Sequence, residues 1–352
     1  MSAARYSATS LTAFASDLLR ATGLDQDKTQ AVASILVEGD LMGHTTHGLA
    51  LLPGYLTELE SGSMAKDGAP DLIQQLPAAE TWDGRRLPGP WLVLQAMATA
   101  TAKAKRCGTG TVVIRRSHHI ACLAAYLKRA TDEGLLMLLT CSDPNSCSVA
   151  PFGGLDPVFT PNPLAAGIPT TTDPVLIDIS TSSTTNGLAN RLHKEGGRLP
   201  AAWLIDGHGK PSDDPAVLFA EPKGTILPLG GIDSGHKGYG MSLLVEALTG
   251  GLAGHGRADQ REGWGATVFV QIINPAAFAG SDAFTRQTGA VVEQCHASQP
   301  ARTGARVRLP GERGLALARE QQQGGVELYP AILPALEPWT RKLGVPLPAP
   351  IG

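Results

Sequence analysis

Apolar residues recur at helical spacing near the start of the chain. The segments from about Ser10 to Ala21 and from about Asp25 to Met42 both show this spacing, and Gly23 between them is a typical helix stop. A third helix is predicted over Leu51 to Leu59, because Pro53 would lie in its first turn, where no backbone hydrogen bond is lost. The chain is therefore predicted to begin with three helices.

Beyond the third helix, strand-like and helical patterns alternate. Short apolar runs predict strands over Gly110 to Ile114, Leu135 to Thr140, Val175 to Ile179 and Ala266 to Ile273. Helical spacing predicts helices over Pro90 to Lys105, Ala121 to Glu133, Leu188 to Glu195, Met241 to Leu248, Asp282 to Ala297 and Glu320 to Leu343. This alternation is typical of βαβ units and predicts an α/β fold class.

Two segments interrupt the alternation. Residues 142–169 are rich in proline and glycine, and Gly196 to Pro215 is predicted to be a loop. A long irregular segment inside a compact domain is usually functional, so we expect residues 142–169 to border a site.

Composition and charge narrow the possible functions. The 352 residues, 43% of them hydrophobic, can bury a large core. The formal net charge is -3 and no long basic run occurs, so nucleic acid is not an expected partner. The sequence contains neither a long apolar run nor a signal-peptide pattern, so no membrane association is expected. The five scattered cysteines, never spaced as CxxC, indicate reduced thiols and a cytoplasmic protein.

The two common phosphate-binding fingerprints, GxGxxG and GxxxxGK[ST], are absent. The segment Gly230 to Gly240 offers backbone amides and Lys237 before a helix, and this combination suits the pyrophosphate of a nicotinamide cofactor. A flexible loop with a solvated lysine is the alternative.

Two histidine clusters are the first candidates for proton transfer, since the pKa of imidazole lies near neutral pH. One cluster is His44 and His47, in the segment GHTTHG, and the other is His118 and His119, after a predicted strand. His44 and His47 could instead bind a metal ion with Asp40 as a third ligand, which would favour a metal-dependent hydrolase.

Asp178 lies at the end of the predicted strand Val175 to Ile179. A carboxylate there could orient an imidazole or accept a hydrogen bond from a cofactor hydroxyl. The alternative is a turn-forming or helix-capping residue.

Five ordered motifs carry a resemblance to a known family: GHTTHG (43–48), SHHIA (117–121), PFGGLDPVFTPNPLAAGIP (151–169), DISTS (178–182) and PLGGIDSGHKGYG (228–240). Over about residues 10 to 330, the chain resembles the malate/L-lactate (2-hydroxycarboxylate) dehydrogenases. That group includes ureidoglycolate and sulfolactate dehydrogenases and piperideine/pyrroline-2-carboxylate reductases.

The resemblance implies an α/β, non-Rossmann fold whose cofactor domain has a mixed sheet. It implies an N-terminal helical region (1–75), a cofactor-binding and catalytic domain (76–309) and a C-terminal tail (310–352) that packs on the first region. It also implies a homodimer that acts on a small-molecule substrate.

The resemblance also assigns residues to roles. The implied catalytic residues are His47, His119, Asp178 and Thr46. The implied contacts of NAD or NADP are Ser142, Asp178, Ile179, Ser180, Lys237 and Gly238, and the implied substrate contacts are His44, His118 and Asn162. No metal is expected.

The chain departs from the family pattern where a substrate carboxylate would bind. Leu51 and Met42 stand where arginines are common, and His118 stands where an asparagine is common. Arg116, His118 or Arg191 would have to compensate for the lost guanidinium. We therefore do not expect plain malate or lactate as the substrate.

The predicted function is reversible reduction of a 2-oxo acid by NADH or NADPH, with a histidine as the general acid and base. One alternative is an NADPH-dependent cyclic-imine reductase. Another is a binding protein that keeps the fold without catalysis. The sequence does not distinguish NAD from NADP, because no ribose-binding residue stands at a diagnostic spacing.

Overall fold

A seven-stranded mixed sheet forms the centre of the fold. The computed structural model describes residues 4–260 and 262–351. The strands are β1 Arg5–Tyr6, β2 Asp71–Gln75, β3 Ala79–Asp83, β4 Thr109–Ser117, β5 Leu136–Ser142, β6 Leu164–Ile168, β7 Val175–Ile179, β8 Leu204–Ile205, β9 Pro211–Ser212, β10 Thr225–Ile226, β11 Ala266–Ile273 and β12 Val326–Glu327. The helices are α1 Ala8–Ala21, α2 Gln26–Leu41, α3 Leu52–Ser61, α4 Gly89–Cys107, α5 Ala124–Thr131, α6 Asn186–Glu195, α7 Gly231–Ser234, α8 His236–Glu246, α9 Ser281–Ala297, α10 Glu312–Gly324 and α11 Ile332–Leu343.

The central sheet has the strand order β2-β3-β4-β11-β5-β6-β7. Strands β3 and β4 pair in parallel across helix α4, which makes one βαβ unit, and the other neighbouring pairs are antiparallel. Strand β11 comes late in the chain, yet it lies between β4 and β5. Its almost uninterrupted apolar sequence suits this central position, because both of its faces are covered. The mixed sheet expected from the resemblance is confirmed.

The N-terminal helices pack against the end of the chain. Helix α1 contacts α11, helix α2 contacts α10, and β1 pairs with β12. Buried residues of these helices and of the central sheet belong to one continuous hydrophobic core. The joining of the N-terminal helical region by the C-terminal tail is therefore confirmed, while the domain boundaries at residues 75 and 309 stay predictions. Within residues 4–260 and 262–351, no helix is long and apolar enough to cross a membrane.

Several short strands differ from the expectations. Strand β6 lies within the segment predicted to be irregular, and β8 and β9 lie within the predicted loop Gly196 to Pro215, where they form a small sheet with β10. The predicted tail helix is two helices, α10 and α11, on either side of β12. Two-residue strands are too short to show a periodic pattern, and β6 consists largely of small residues, so the hydrophobic pattern does not reveal them.

The glycine-rich segment Gly230 to Gly240 is also more helical than expected. Helix α8 begins at His236 and not at Met241, so Lys237 and Gly238 lie in its first turn. A Cβ atom on Gly238 would lie 2.4 Å from the backbone nitrogen of Leu229, so this glycine serves close packing. Glycine at this position permits the helix to approach its neighbour and does not end it.

Candidate active site

A cavity of about 520 Å³ opens where several chain segments meet. Its wall is formed by the loop after α2, the segment after β4, the ends of β5 and β7, the first turns of α6 and the residues before β11. Most of the predicted site residues line it: His44, Thr46, His47, His119, Ser142, Asn162, Asp178 and Ser180. Residues from distant parts of the sequence therefore converge on one site.

The histidine loop, residues 43–48, is held in place by a buried carboxyl group. Oδ2 of Asp40, in the last turn of α2, accepts a hydrogen bond from the backbone N–H of Leu49 at 2.7 Å. A Cβ atom on Gly48 would lie 2.4 Å from the Asp40 carboxyl, so the loop packs tightly on it. Burial raises the pKa of Asp40 to about 7. Asp40 thus fixes the loop that carries His47.

The His47 ring can gain or lose a proton without losing its neighbour. Its Nδ1 atom lies 2.8 Å from the hydroxyl oxygen of Thr46. A hydroxyl can donate to a bare Nδ1 or accept from a protonated one, so Thr46 suits both states of the ring. Burial lowers the pKa of His47, and the negative charge of Asp178 opposes this effect.

His119 is held as a neutral hydrogen-bond donor. Its Nδ1 atom accepts from the backbone N–H of Ala121 at 3.2 Å and lies 2.9 Å from the hydroxyl of Tyr55. Because a backbone N–H can only donate, the neutral ring carries its proton on Nε2. Burial, together with the neighbouring histidines, holds the pKa of His119 well below its usual range. The ring also packs on Trp264, with ring centroids 4.9 Å apart.

The two rings lie face to face across the site. The centroids of His47 and His119 are 6.1 Å apart, and their planes differ by 29°. Only His47 has a carboxylate that favours its protonated form, since the charges acting on His119 come from other histidines. The two histidines are therefore suited to different tasks.

Asp178 is anchored by the backbone on one side of the cavity. Its Oδ2 accepts from the backbone N–H of Ala124 at 2.8 Å. Asp178, His44 and Cys122 have donor atoms within 4.8 Å of one another, a spacing at which a metal ion could be shared. In this group the Cys122 thiol donates a hydrogen bond to Oδ2 of Asp178. Neither His47 nor Asp40 belongs to the group, so among the described residues the structure does not bring His44, His47 and Asp40 to metal-binding spacing.

Another part of the cavity wall is polar. The Ser142 hydroxyl bonds to the Thr249 hydroxyl at 2.8 Å. The side-chain amide of Asn162 accepts from the Thr160 hydroxyl at 2.7 Å and donates to Glu246 at 2.8 Å, which locks its orientation. Hydroxyl and amide groups of this kind suit the carboxamide and ribose of a nicotinamide cofactor.

Four of the predicted site residues do not line the cavity. His118 is fully buried, with its ring against Trp264 and its Nε2 atom 3.3 Å from a carboxylate oxygen of Glu58. Lys237 is exposed on α8, Gly238 is packed against the backbone, and Ile179 projects toward solvent at the end of β7. These four residues have no contact with the cavity that holds the histidines.

The structure also shows where the residues that depart from the family pattern lie. Leu51 lines the cavity. Met42 is buried against α10, and Arg116 pairs with carboxylates outside the cavity. Arg191 donates to the hydroxyl and the carbonyl oxygen of Thr45. None of Arg116, His118 and Arg191 lines the cavity, so the expected compensation is not seen at its wall.

Sequence reasoning missed several residues of the site. Tyr55 and Trp264 contact His119, and Asp143 and Asn190 line the cavity. Tyr55 lies on the apolar face of α3, where the sequence pattern indicates a core residue. One signal could have revealed Tyr55: it carries a hydroxyl group on an apolar helix face, four positions after Leu51, which lines the cavity.

Comparisons with known proteins show the family of the chain. The family model described as malate/L-lactate dehydrogenase matches residues 6–337. An L-lactate dehydrogenase of Cupriavidus necator is 33% identical over 351 residues, which cover 98% of this chain and 99% of that protein.

Solved structures share the whole fold. The malate dehydrogenase from Entamoeba histolytica superposes with a TM-score of 0.92 at 25% identity, covering 99% of this chain and 100% of that one. The Δ1-piperideine-2-carboxylate reductase from Pseudomonas syringae pathovar tomato superposes with a TM-score of 0.83 at 25% identity. The superposition covers 95% of this chain and 99% of the reductase chain. The likeness extends over nearly the full length of each chain.

Proposed function

We propose that this protein, which belongs to the malate/L-lactate dehydrogenase family, uses NAD or NADP to interconvert a 2-hydroxy acid and a 2-oxo acid. The observation that carries the proposal is the opposed pair His47 and His119, together with Asp178, in one cavity. When bound, the nicotinamide ring would supply or accept the hydride. The protein would bind both reactants, orient them and manage the proton.

The residues present fit a nicotinamide cofactor. Ser142, Asn162 and Ser180 place hydroxyl and amide groups along the cavity wall, and these would hold the carboxamide and the ribose. Lys237 and Gly238 lie outside the cavity, and we propose them as contacts of the phosphate groups. Ile179, exposed beside Ser180, would contact the cofactor at the cavity edge.

The different roles that we propose for His119 and His47 follow from their different hydrogen-bond partners. The Nε2–H group of His119 would donate to the substrate carbonyl oxygen and polarise it. His47, whose protonated form Asp178 supports, would give its proton to the developing alkoxide. Thr46 would accept from the Nδ1–H group of His47 both before and after Nε2 gives its proton. In the oxidation direction, the same ring would act as the base.

The test measures NADH and NADPH oxidation with 2-oxo acids in the wild type and in His47→Gln and His119→Gln. We expect His47→Gln to lower kcat by about 10²–10⁴-fold, because the proton donor is lost. His119→Gln should lower kcat by about 10²–10³-fold, because one donor to the carbonyl oxygen is lost. An exposed histidine, His208, supplies the control variant His208→Gln, which should keep wild-type turnover.

The pH dependence separates the two histidines. Reduction needs protonated His47, so kcat/KM should fall as the pH rises through the pKa of His47, which burial places below its ordinary value of 6.5. This dependence should persist in His119→Gln and disappear in His47→Gln. The same dependence in both variants would contradict the assignment of His47 as the acid.

A second candidate function is cyclic-imine reduction. The structural likeness to a piperideine-2-carboxylate reductase favours it, and so do the two carboxylates of the cavity wall, which tolerate a cationic substrate. Higher kcat/KM values for cyclic imines than for 2-oxo acids in the same NADPH assay would select this function.

We also propose a cytoplasmic homodimer. The exposed apolar side chains Leu229, Ile232, Leu243, Leu244 and Leu252 follow one another along and beside α7 and α8. Exposed large apolar side chains of this kind are typical of a subunit interface. A monomer in sedimentation velocity at micromolar concentration would contradict the proposal.

A further inference from the structure

The cavity wall carries carboxylates, but the described residues of the wall include no lysine or arginine. The carboxylates are those of Asp143 and Asp178. An anionic group brought into such a wall loses its water and gains no opposite charge beyond that of the protonated His47. The cavity is therefore unsuited to a substrate with two anionic groups.

Three arginines near the site donate hydrogen bonds to the backbone or side chains of the segments that form the wall. Arg191 donates to the hydroxyl and carbonyl oxygens of Thr45 at 3.0 and 2.8 Å, and its guanidinium stacks on the ring of Tyr329 at 3.7 Å. Arg86 and Arg257 donate to main-chain carbonyl oxygens of wall residues at 3.1 and 3.0 Å. Turning any of these side chains into the cavity would break those contacts, so they support the wall and do not serve the substrate.

The part of the wall beside the His119 ring is apolar. Leu51 and Leu123 each lie four residues after a site histidine, and both line the cavity together with Trp264. Gly54 lies one helical turn after Leu51, and a Cβ atom on it would be 3.3 Å from the Trp264 ring. Leu51 and Trp264 therefore border the same part of the cavity, beside the ring of His119.

Hydrogen-bond donors remain for a single carboxylate. Asn186 and Asn190, one turn apart on α6, line the cavity, as does His44. Amide N–H groups can hold one carboxylate by hydrogen bonds. A second anionic group, on the substituent of the substrate, would face Leu51 and Trp264.

We propose that the substrates are 2-oxo and 2-hydroxy monoacids with an uncharged, apolar substituent, and that Leu51 is the residue that determines this specificity. This inference rests on the proposed function. It sets the chain apart from relatives that bear the names malate dehydrogenase and L-sulfolactate dehydrogenase, since malate and sulfolactate each carry a second anionic group.

The test compares kcat/KM for 4-methyl-2-oxopentanoate, pyruvate and oxaloacetate in the wild type, in Leu51→Arg and in the size-matched Leu51→Met. In the wild type, we expect kcat/KM for 4-methyl-2-oxopentanoate to exceed kcat/KM for oxaloacetate by about 100-fold. In Leu51→Arg, the value for oxaloacetate should rise by about 10- to 100-fold, chiefly through KM, because a guanidinium can pair with the second carboxylate. Leu51→Met should keep the wild-type preference.

The outcomes separate the two proposals. If the wild type reduces oxaloacetate as well as 4-methyl-2-oxopentanoate, the specificity inference is wrong and the proposed function stands. If Leu51→Arg and Leu51→Met change the preference equally, charge at position 51 does not determine specificity. If no 2-oxo acid is reduced by either cofactor, the proposed function fails and the inference fails with it. The wild-type panel alone decides the preference, so the test does not depend on the folding of Leu51→Arg.

Discussion

The buried carboxyl of Asp40 gives the protein a pH-dependent stability that one substitution should remove. Asp40 is 1% exposed, its Oδ2 accepts from Leu49, and its Oδ1 has no hydrogen-bond partner within the described structure. Burial raises its pKa from the ordinary 3.8 to about 7. Asparagine has the same shape and no charge. Asp40→Asn keeps the acceptor for Leu49 and cannot ionise.

The magnitude follows from the shifted pKa. Because the pKa of Asp40 is higher in the folded state than in the unfolded state, its stabilising contribution is complete below pH 3.8 and is lost as the pH rises through about 7. Each pKa unit corresponds to about 1.4 kcal/mol. From about pH 5.5 to pH 8, Asp40 should therefore cost the wild type about 2 kcal/mol in the free energy of unfolding.

The assay is urea denaturation of the wild type and Asp40→Asn at both pH values. The difference in the free energy of unfolding between the two proteins should shift by about 2 kcal/mol in favour of Asp40→Asn as the pH rises. Taking the difference cancels the other titrating groups that the two proteins share. Asp17→Asn is the matched control, since the Asp17 side chain is 50% exposed on α1. The difference in the free energy of unfolding between Asp17→Asn and the wild type should be the same at both pH values. If the difference in the free energy of unfolding between Asp40→Asn and the wild type is also the same at both pH values, the reasoning is refuted.

Two further substitutions test how the histidines are held. Gly48→Ala would place a Cβ atom 2.4 Å from the Asp40 carboxyl, so the loop must move; we expect kcat to fall by about 10²-fold, whereas Gly240→Ala, where a Cβ meets open space, should keep wild-type kcat. Wild-type turnover of Gly48→Ala would show that the loop position does not matter. Tyr55→Phe removes the hydroxyl 2.9 Å from Nδ1 of His119; we expect kcat to fall by roughly tenfold, with a melting temperature within a few degrees of the wild type. Unchanged kcat in Tyr55→Phe would remove Tyr55 from the support of His119.

The sequence predicts those elements of the fold whose patterns are long. Helices α1, α2 and α4 extend over several turns of regular spacing, and β11 is an eight-residue apolar run. Strands of two residues carry no periodicity, and the position of β11 between β4 and β5 depends on contacts between distant segments. The order of the strands therefore could not be read from local patterns.

The candidate site was predictable as a set of residues and not as an arrangement. The motifs identify His47, His119 and Asp178, which the structure brings to one cavity. The division of roles between the histidines depends on the backbone N–H of Ala121 and on the position of Asp178, and a sequence pattern encodes neither. His118 stands beside His119 in sequence, but the backbone turns its ring into the core.

The most direct measurement follows hydride transfer itself in the wild type and in His47→Gln. The proteins would be given 4-methyl-2-oxopentanoate and NADH or NADPH deuterated at C4 of the nicotinamide ring, and the product would be analysed by mass spectrometry. The account predicts one deuterium at C2 of the 2-hydroxy acid, formed rapidly by the wild type and about 10²–10⁴-fold more slowly by His47→Gln. Product without deuterium from either labelled C4 position, or equal rates in the two proteins, would contradict it.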